Sequence, residues 1–249
     1  MAELIILGTA TNIPDEDHEN THMVLVGNTR MVLVDGPGNP YRRLLQAGLD
    51  PNRLTDIVVT HFHPDHASGI PLLLMALGLQ GRRESLNLYA NSHCLERIQR
   101  NLYDYDWEKW RRFQVDFVTV VGEEMGKCID CEEFRIYSSP VKHFIPAIGL
   151  RIETKDKTLV FSGDTAPTPA LDRLANGADI LVHEAGGLSE GHSSARQAGE
   201  AAARSGAEVL YLVHYPVGDF DGGKLVSDAT EVYRGKVVLA VDFQQICLV

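Results

Sequence analysis

Three imidazoles and one carboxylate fall within six residues at His61-Phe62-His63-Pro64-Asp65-His66. Nitrogen and oxygen donors at that density suit a divalent transition metal. Without a metal, imidazoles so crowded would leave polar groups in need of partners. The run directly follows Asp56-Ile57-Val58-Val59-Thr60, the pattern of a buried strand. In a tight loop at that strand end, His61 and His63 can face one ion while Asp65 and His66 turn toward a second.

Such a loop needs a scaffold, and the chain has the means to build one. It has 249 residues, 44% hydrophobic and 23% charged, enough for an ordinary core in a single domain over residues 1–249. Apolar, β-branched runs predict strands at Leu4–Leu7, Met23–Val26, Met31–Val34, Ile57–Thr60, Leu86–Tyr89 and Phe117–Val121. Further strands are expected at Leu150–Glu153, Thr158–Ser162, Ile180–His183, Val209–His214 and Val237–Val241. Val26 to Met31 reads as a hairpin with Gly27-Asn28 at its turn. Helices are expected over Pro40–Ala47 and Pro167–Asn176, each ended by a glycine, and from the capping box Ser194-Ala195-Arg196-Gln197. Strands open the chain, and strands separated by helices close it. That order suggests two sheets face to face with helices outside, with a three-layer α/β fold as the competing arrangement.

The net charge of −11 excludes a generic basic nucleic-acid footprint. The longest apolar stretch, Ile70–Leu79, contains Pro71 and Gly78 and is too short to span a bilayer. No signal peptide is apparent, so a cytoplasmic location and no membrane partner are expected. Cys128-Ile-Asp-Cys131 precedes a strand-like run and reads as two reduced thiols in a hairpin region.

The HxHxDH run after an apolar strand resembles the metallo-β-lactamase superfamily, and the resemblance continues along nearly the whole chain. Leu7-Gly8-Thr9 is similar to the family's opening glycine turn and Val34-Asp35-Gly36 to its third-strand end. Val141-Lys142-His143, Phe161-Ser162-Gly163-Asp164-Thr165 and Leu212-Val213-His214 resemble its later ligand segments. The resemblance implies an α/β fold, the αββα four-layer sandwich of two mixed β-sheets. It implies two divalent metal ions, zinc first, with manganese or iron as alternatives. His61, His63 and His143 would hold one ion and Asp65, His66 and His214 the other, with Asp164 bridging. A metal-bridging hydroxide would be the nucleophile. Asp35 would orient a ligand imidazole.

Leu181-Val182-His183-Glu184-Ala185, followed by Gly191-His192-Ser193-Ser194-Ala195, resembles the ribonuclease Z branch. By that resemblance the catalytic residues are Asp65, His192 and Glu184, with Glu184 orienting the His192 imidazole and His192 protonating the leaving oxygen. His183 reads as a hydrogen-bonded structural residue. One departure matters. Ribonuclease Z proteins that process transfer RNA usually carry a long arm between the third metal histidine and the bridging aspartate. Here 21 positions separate His143 from Asp164, and no arm fits. The expected activity is therefore hydrolysis of a small phosphodiester or short nucleic acid in the cytoplasm, and the resemblance implies a homodimer. A lactonase or thioesterase on the same metals is the alternative. The basic-aromatic cluster Trp107, Lys109, Trp110, Arg111 and Arg112 could hold a base, but reads first as a helix or lid packed on the core.

Overall fold

The computed structural model describes residues 2–218 and 220–248; the expected domain also takes in Met1, Asp219 and Val249, which lie outside the described residues. Among the described residues, fourteen strands form two seven-stranded sheets. The first sheet contains β1 (Glu3–Gly8), β2 (His22–Val26), β3 (Met31–Val34), β4 (Asp56–Val58), β5 (Leu86–Ala90) and β6 (Val115–Thr119). The second contains β7 (Gly126–Asp130), β8 (Arg135–Val141), β9 (Ala147–Glu153), β10 (Thr158–Phe161), β11 (Ile180–Glu184), β12 (Val209–Val213) and β13 (Lys236–Leu239). The chain then returns to the first sheet, where β14 (Gln244–Cys247) pairs with β1.

Each sheet is antiparallel on one side and parallel on the other. In the first, β1, β2 and β3 run antiparallel and β3 to β6 run parallel. In the second, β7 to β10 are antiparallel and β10 to β13 parallel. Parallel neighbours need crossovers, and helices supply them. Over the first sheet these are α1 (Pro40–Gln46), α2 (Pro64–Ala67), α3 (Ile70–Leu79), α4 (Ser92–Asp104) and α5 (Trp107–Trp110); over the second, α6 (Pro169–Ala175), α7 (Ala195–Ser205) and α8 (Gly222–Thr230).

The two-residue period of the strands sorts side chains into layers. On β1, Leu4 and Ile6 enter the core between the sheets, whereas Ile5 and Leu7 pack outward under the first helices. On β10, Leu159 and Phe161 face the other sheet while Val160 faces α6 and α7. Three apolar clusters result, one between the sheets and one beneath each helical layer. This is the expected αββα sandwich.

Several local signals fold as read. Ser194 caps α7 with both hydrogen bonds of a capping box, and Gly206 ends that helix at φ +77°. Gly48 and Gly177 likewise take positive φ, +76° and +69°, just beyond α1 and α6. The expected hairpin forms, with Val26 paired to Met31 and Gly27 and Asn28 in its turn, but the turn spans Gly27–Arg30 and neither Gly27 nor Asn28 adopts positive φ. Instead the Glu133 carboxylate, reaching over from the β7–β8 hairpin, accepts from the amides of Asn28 at 2.6 Å and Thr29 at 3.0 Å. Cys128 and Cys131 sit in that hairpin as free thiols.

Candidate metal centre

The site lies where parallel strands end, the usual crevice of such sheets. Asp35 follows β3, His61 lies three residues beyond β4, Asp164 three beyond β10, and His214 directly follows β12. His143 follows β8, and His66 is carried on the short helix α2, whose start is fixed by Pro64. Asp35 and His214 adopt left-handed backbone conformations, φ +61° and +51°, which non-glycine residues rarely take. Such turns at strand ends aim both side chains into the crevice at a local conformational cost.

All seven residues expected to hold metal converge there, in two groups. His61 Nε2 stands 3.0 Å from His63 Nδ1, which is 3.1 Å from His143 Nε2. Asp164 Oδ2 lies 3.3 Å from both His66 Nε2 and His214 Nε2, and Asp65 Oδ2 lies 3.4 Å from His214 Nε2. Within each group the donor atoms are all within 4.8 Å of one another. Asp164 Oδ2 is also 3.9 Å from His61 Nε2, so this carboxylate spans the two groups.

The tautomers follow from the partners on the far side of each ring. The Asp35 carboxylate accepts from the Thr60 amide at 2.7 Å and from the Thr60 hydroxyl at 2.9 Å. With its proton so committed, Thr60 Oγ1 can only accept from His61 Nδ1, 3.1 Å away. His61 Nε2 is left with its lone pair toward the crevice. Likewise His143 Nδ1 donates to the Gly191 carbonyl at 2.8 Å, and His66 Nδ1 donates to Asp35 Oδ2 at 2.9 Å. Asp35 thus orients His66 directly and His61 through Thr60. The orienting roles of Thr60 and Gly191 have no signal of their own in the sequence, although Thr60 immediately precedes the histidine run.

Electrostatics favour a bound cation. Burial, together with mutual repulsion among the rings, pushes the pKa values of His61, His63 and His143 below the ordinary histidine value, which favours the neutral imidazole that a metal would need. Burial also opposes charge on His66, but Asp164 and Asp35 override it and raise that ring well above the usual range. Burial opposes charge on Asp164 too, yet His214 and His66 hold its carboxyl well below the usual carboxylate range. Even so, His66 Nε2 and Asp164 Oδ1 are buried without a hydrogen-bond partner. Orphaned donor atoms among five imidazoles and two carboxylates are what a divalent metal site leaves when its ion is taken away. The residues fit the metals that the resemblance implies.

Beside this cluster stands a second buried device. Glu184 is fully buried, and its Oε1 accepts from the Thr165 amide at 2.9 Å and from His192 Nδ1 at 3.0 Å. Its Oε2 accepts from the Gly186 amide at 2.9 Å. Burial pushes the His192 pKa down, but the hydrogen bond and charge of Glu184, with the charge of Asp164, bring it above the ordinary value. His183 points away from the centre and bonds the Glu184 carbonyl at 2.7 Å, as expected of a structural histidine.

A cavity of about 590 Å³ opens over the cluster, walled by His63, Asp65, Asp164, His192 and His214 and by Thr11, Ile13, Phe144 and Ser189, among others. A larger hollow of about 720 Å³, between α4, α5 and β6, contains none of the expected ligands. The basic-aromatic cluster lies there. Trp107 is buried against Trp110 and Phe113, Lys109 pairs with Asp106, and Arg111 pairs with Glu108. It is a helix packed on the core, with these two cations locally neutralised. Between His143 and Asp164 the chain forms only β9, a turn closed by Thr154 and Lys157, and β10.

Comparisons with known proteins agree with this geometry. Ribonuclease Z of Methanothermobacter thermautotrophicus is 27% identical, with 86% of each chain covered. Ribonuclease Z of Mycobacterium marinum is 26% identical over 99% of this chain and 98% of its own. Among solved structures, the metallo-beta-lactamase fold protein YhfI from Bacillus subtilis superposes with a TM-score of 0.86 at 19% identity, covering 98% of both chains. Human short-form tRNase Z superposes with a TM-score of 0.79 at 23% identity, covering 99% of both. Residues 30–215, the span from β3 through the last expected ligand, match the beta-lactamase superfamily domain, and the chain belongs to that superfamily.

Proposed function

We propose that the chain is a metal-dependent phosphodiesterase of the ribonuclease Z-like branch. The Glu184–His192 pair beside the two donor groups is the observation that carries this reading. Relatives along most of the chain are ribonuclease Z proteins, and a diphosphatase of the PhnP family shares the fold with a TM-score of 0.76. Bound divalent ions would supply Lewis-acid polarisation of a phosphoryl oxygen and make water nucleophilic at neutral pH. His61, His63 and His143 would hold one ion and Asp65, His66 and His214 the other, with Asp164 between them.

The remaining chemistry belongs to the chain's own residues. Hydrolysis forms one P–O bond from water and breaks another to the leaving oxygen, which needs a proton. Glu184 fixes the His192 ring by accepting from Nδ1, so Nε2 is the atom that faces the cavity. With Nδ1 committed to Glu184, whose hydrogen bond and charge raise the His192 pKa above the ordinary histidine value, Nε2 is placed to deliver a proton to the leaving oxygen. Acyl transfer by a lactonase or thioesterase has less need of such a donor.

Zinc is the first choice of metal, since nitrogen-rich sites with carboxylates suit it, and manganese or iron share the ligand preference. A cytoplasmic location is supported by four free cysteines. A homodimer is supported by the exposed apolar face of α3, where Leu72 and Leu79 are uncovered. Metal-reconstituted protein should be offered bis(p-nitrophenyl) phosphate, a cyclic nucleotide, a homoserine lactone and a thioester. Turnover of the diesters supports the reading; turnover of the lactone or thioester alone refutes it.

A further inference from the structure

The cavity over the donor cluster has an unusual wall for a phosphate-handling site. Among the described residues, none that lines it is a lysine or an arginine. Lys142, next in sequence to His143, is not part of the wall. Any positive charge offered to a substrate, besides the metals themselves, would come from His192. A polyanion gains its affinity by neutralising many phosphates with Lys and Arg, and this cavity has no means to do so. The wall instead presents exposed apolar side chains. Ile13 is 71% and Phe144 56% exposed, and both line the cavity.

Phe144 is held in place rather than loose. Its ring stands edge-on to His143 with centroids 5.1 Å apart and lies 6.0 Å from the His192 ring. Its edge rests on Gly191, where a Cβ would come within 3.2 Å of two of its ring carbons. Gly191 also takes φ +78° and presents its carbonyl to His143, so the backbone that orients a ligand imidazole also seats this ring. A large aromatic surface kept open to water beside a reaction centre costs solvation, and a flat ligand group stacked on it recovers that cost.

Resting on the phosphodiesterase reading, we infer that Phe144 is a specificity-determining platform: the site takes a compact, singly charged phosphodiester that carries a flat ring on its non-leaving side, such as a nucleoside ester, and stacks that ring on Phe144. The phosphate supplies the single negative charge that the centre neutralises. Base–aromatic stacking tolerates any base, so selectivity is for a planar group rather than for a sequence.

The test concerns the ring on the non-leaving side: it compares two diesters with the same p-nitrophenyl leaving group and the same charge, thymidine 5′-(p-nitrophenyl phosphate) and methyl p-nitrophenyl phosphate, which differ only in that group. The zinc-loaded native protein should favour the nucleoside ester in kcat/KM. Phe144→Ala should lower that preference roughly 5- to 100-fold, the range of one stacked base, and Phe144→Trp should retain it. Calorimetry gives an independent readout. Thymidine 5′-monophosphate should bind the native protein more tightly than methyl phosphate does, and Phe144→Ala should abolish the difference. An unchanged preference in Phe144→Ala, with both esters still hydrolysed, overturns the platform and leaves the phosphodiesterase reading intact. If the native protein hydrolyses neither ester, that reading fails. The calorimetric comparison then decides the platform alone: equal binding of the two monoesters refutes it.

Discussion

His192 Nδ1 lies 3.0 Å from Glu184 Oε1, and the same oxygen accepts from the Thr165 amide directly after Asp164. The carboxylate that would orient the acid is therefore tied to the backbone that positions the spanning ligand. Variants here should fall into two kinds, those that empty the centre and those that leave it filled but slow.

His192→Ala belongs to the second kind. It should keep its metal while losing about 10²–10⁴-fold in kcat on an alkyl phosphodiester. The loss should shrink on a p-nitrophenyl ester, whose leaving group departs without a proton. Glu184→Gln should show a smaller version of the same pattern. Metal analysis alongside the kinetics checks both, and loss of metal from His192→Ala would mean that it is itself a ligand.

Asp164→Ala belongs to the first kind, because its carboxylate reaches both donor groups. Protein purified without chelator should contain close to two equivalents of transition metal, and this variant should lose at least one. Asp35→Asn removes charge behind His66 and should weaken metal affinity about 10–100-fold. Elemental analysis and competition with a chromophoric chelator measure these effects. A native protein that stays metal-free in both zinc and manganese would sink the assignment.

Small phosphodiesters should be cleaved faster than precursor transfer RNA. The connection from His143 to Asp164 holds only β9 and β10, and the net charge is −11. Side-by-side turnover of bis(p-nitrophenyl) phosphate and a precursor transcript is the check. Comparable rates would show that another surface replaces the arm.

Glu133 gives the fold an acid-sensitive joint. Desolvation pushes its carboxyl up, but hydrogen bonds from the amides of Thr29, Asn28 and Arg30 and from the Thr29 hydroxyl hold it down at about 2, against an ordinary 4.5. A depressed carboxylate stabilises the fold fully above its unfolded pKa and less as pH falls toward its folded one. The native protein should therefore outlast Glu133→Gln in urea at pH 6, and its lead should fade between about pH 4.5 and 2. A lead independent of pH across that window would rule out this account.

The histidine run was legible because its residue types are dense and it follows an unmistakable buried strand. The later ligands were legible only in company, since one histidine after an apolar run is ambiguous. The central strands read clearly for the same reason as the core, being apolar and β-branched on both faces. The hairpin of β7 and β8 is legible only as a strand-like run after Cys131, and β14 carries no strand signal; β7 and β14 lie at sheet edges and alternate exposed polar residues with few apolar ones. Helix α3 is apolar all round, so its run has no helical stripe to betray it. In α4, by contrast, Leu95, Ile98 and Leu102 carry a helical spacing that went unread. The hairpin at Gly27-Asn28 was legible, but the carboxylate that anchors its turn stands more than 100 positions away and leaves no local trace. The roles of Thr60, Gly191 and Phe144 depend on contacts that no local pattern encodes.

The donors at the centre come from both sheets: His61, His63, Asp65 and His66 follow β4 of the first, and His143, Asp164 and His214 follow strands of the second. Ions held by such a set clasp the two halves of the sandwich at the open end of its apolar seam. Metal supply then becomes a folding variable as well as a catalytic one. Free ion at 100 times its dissociation constant would add about 2.7 kcal/mol to the folded state. In a cell short of metal, the protein would lose abundance to proteolysis along with its turnover.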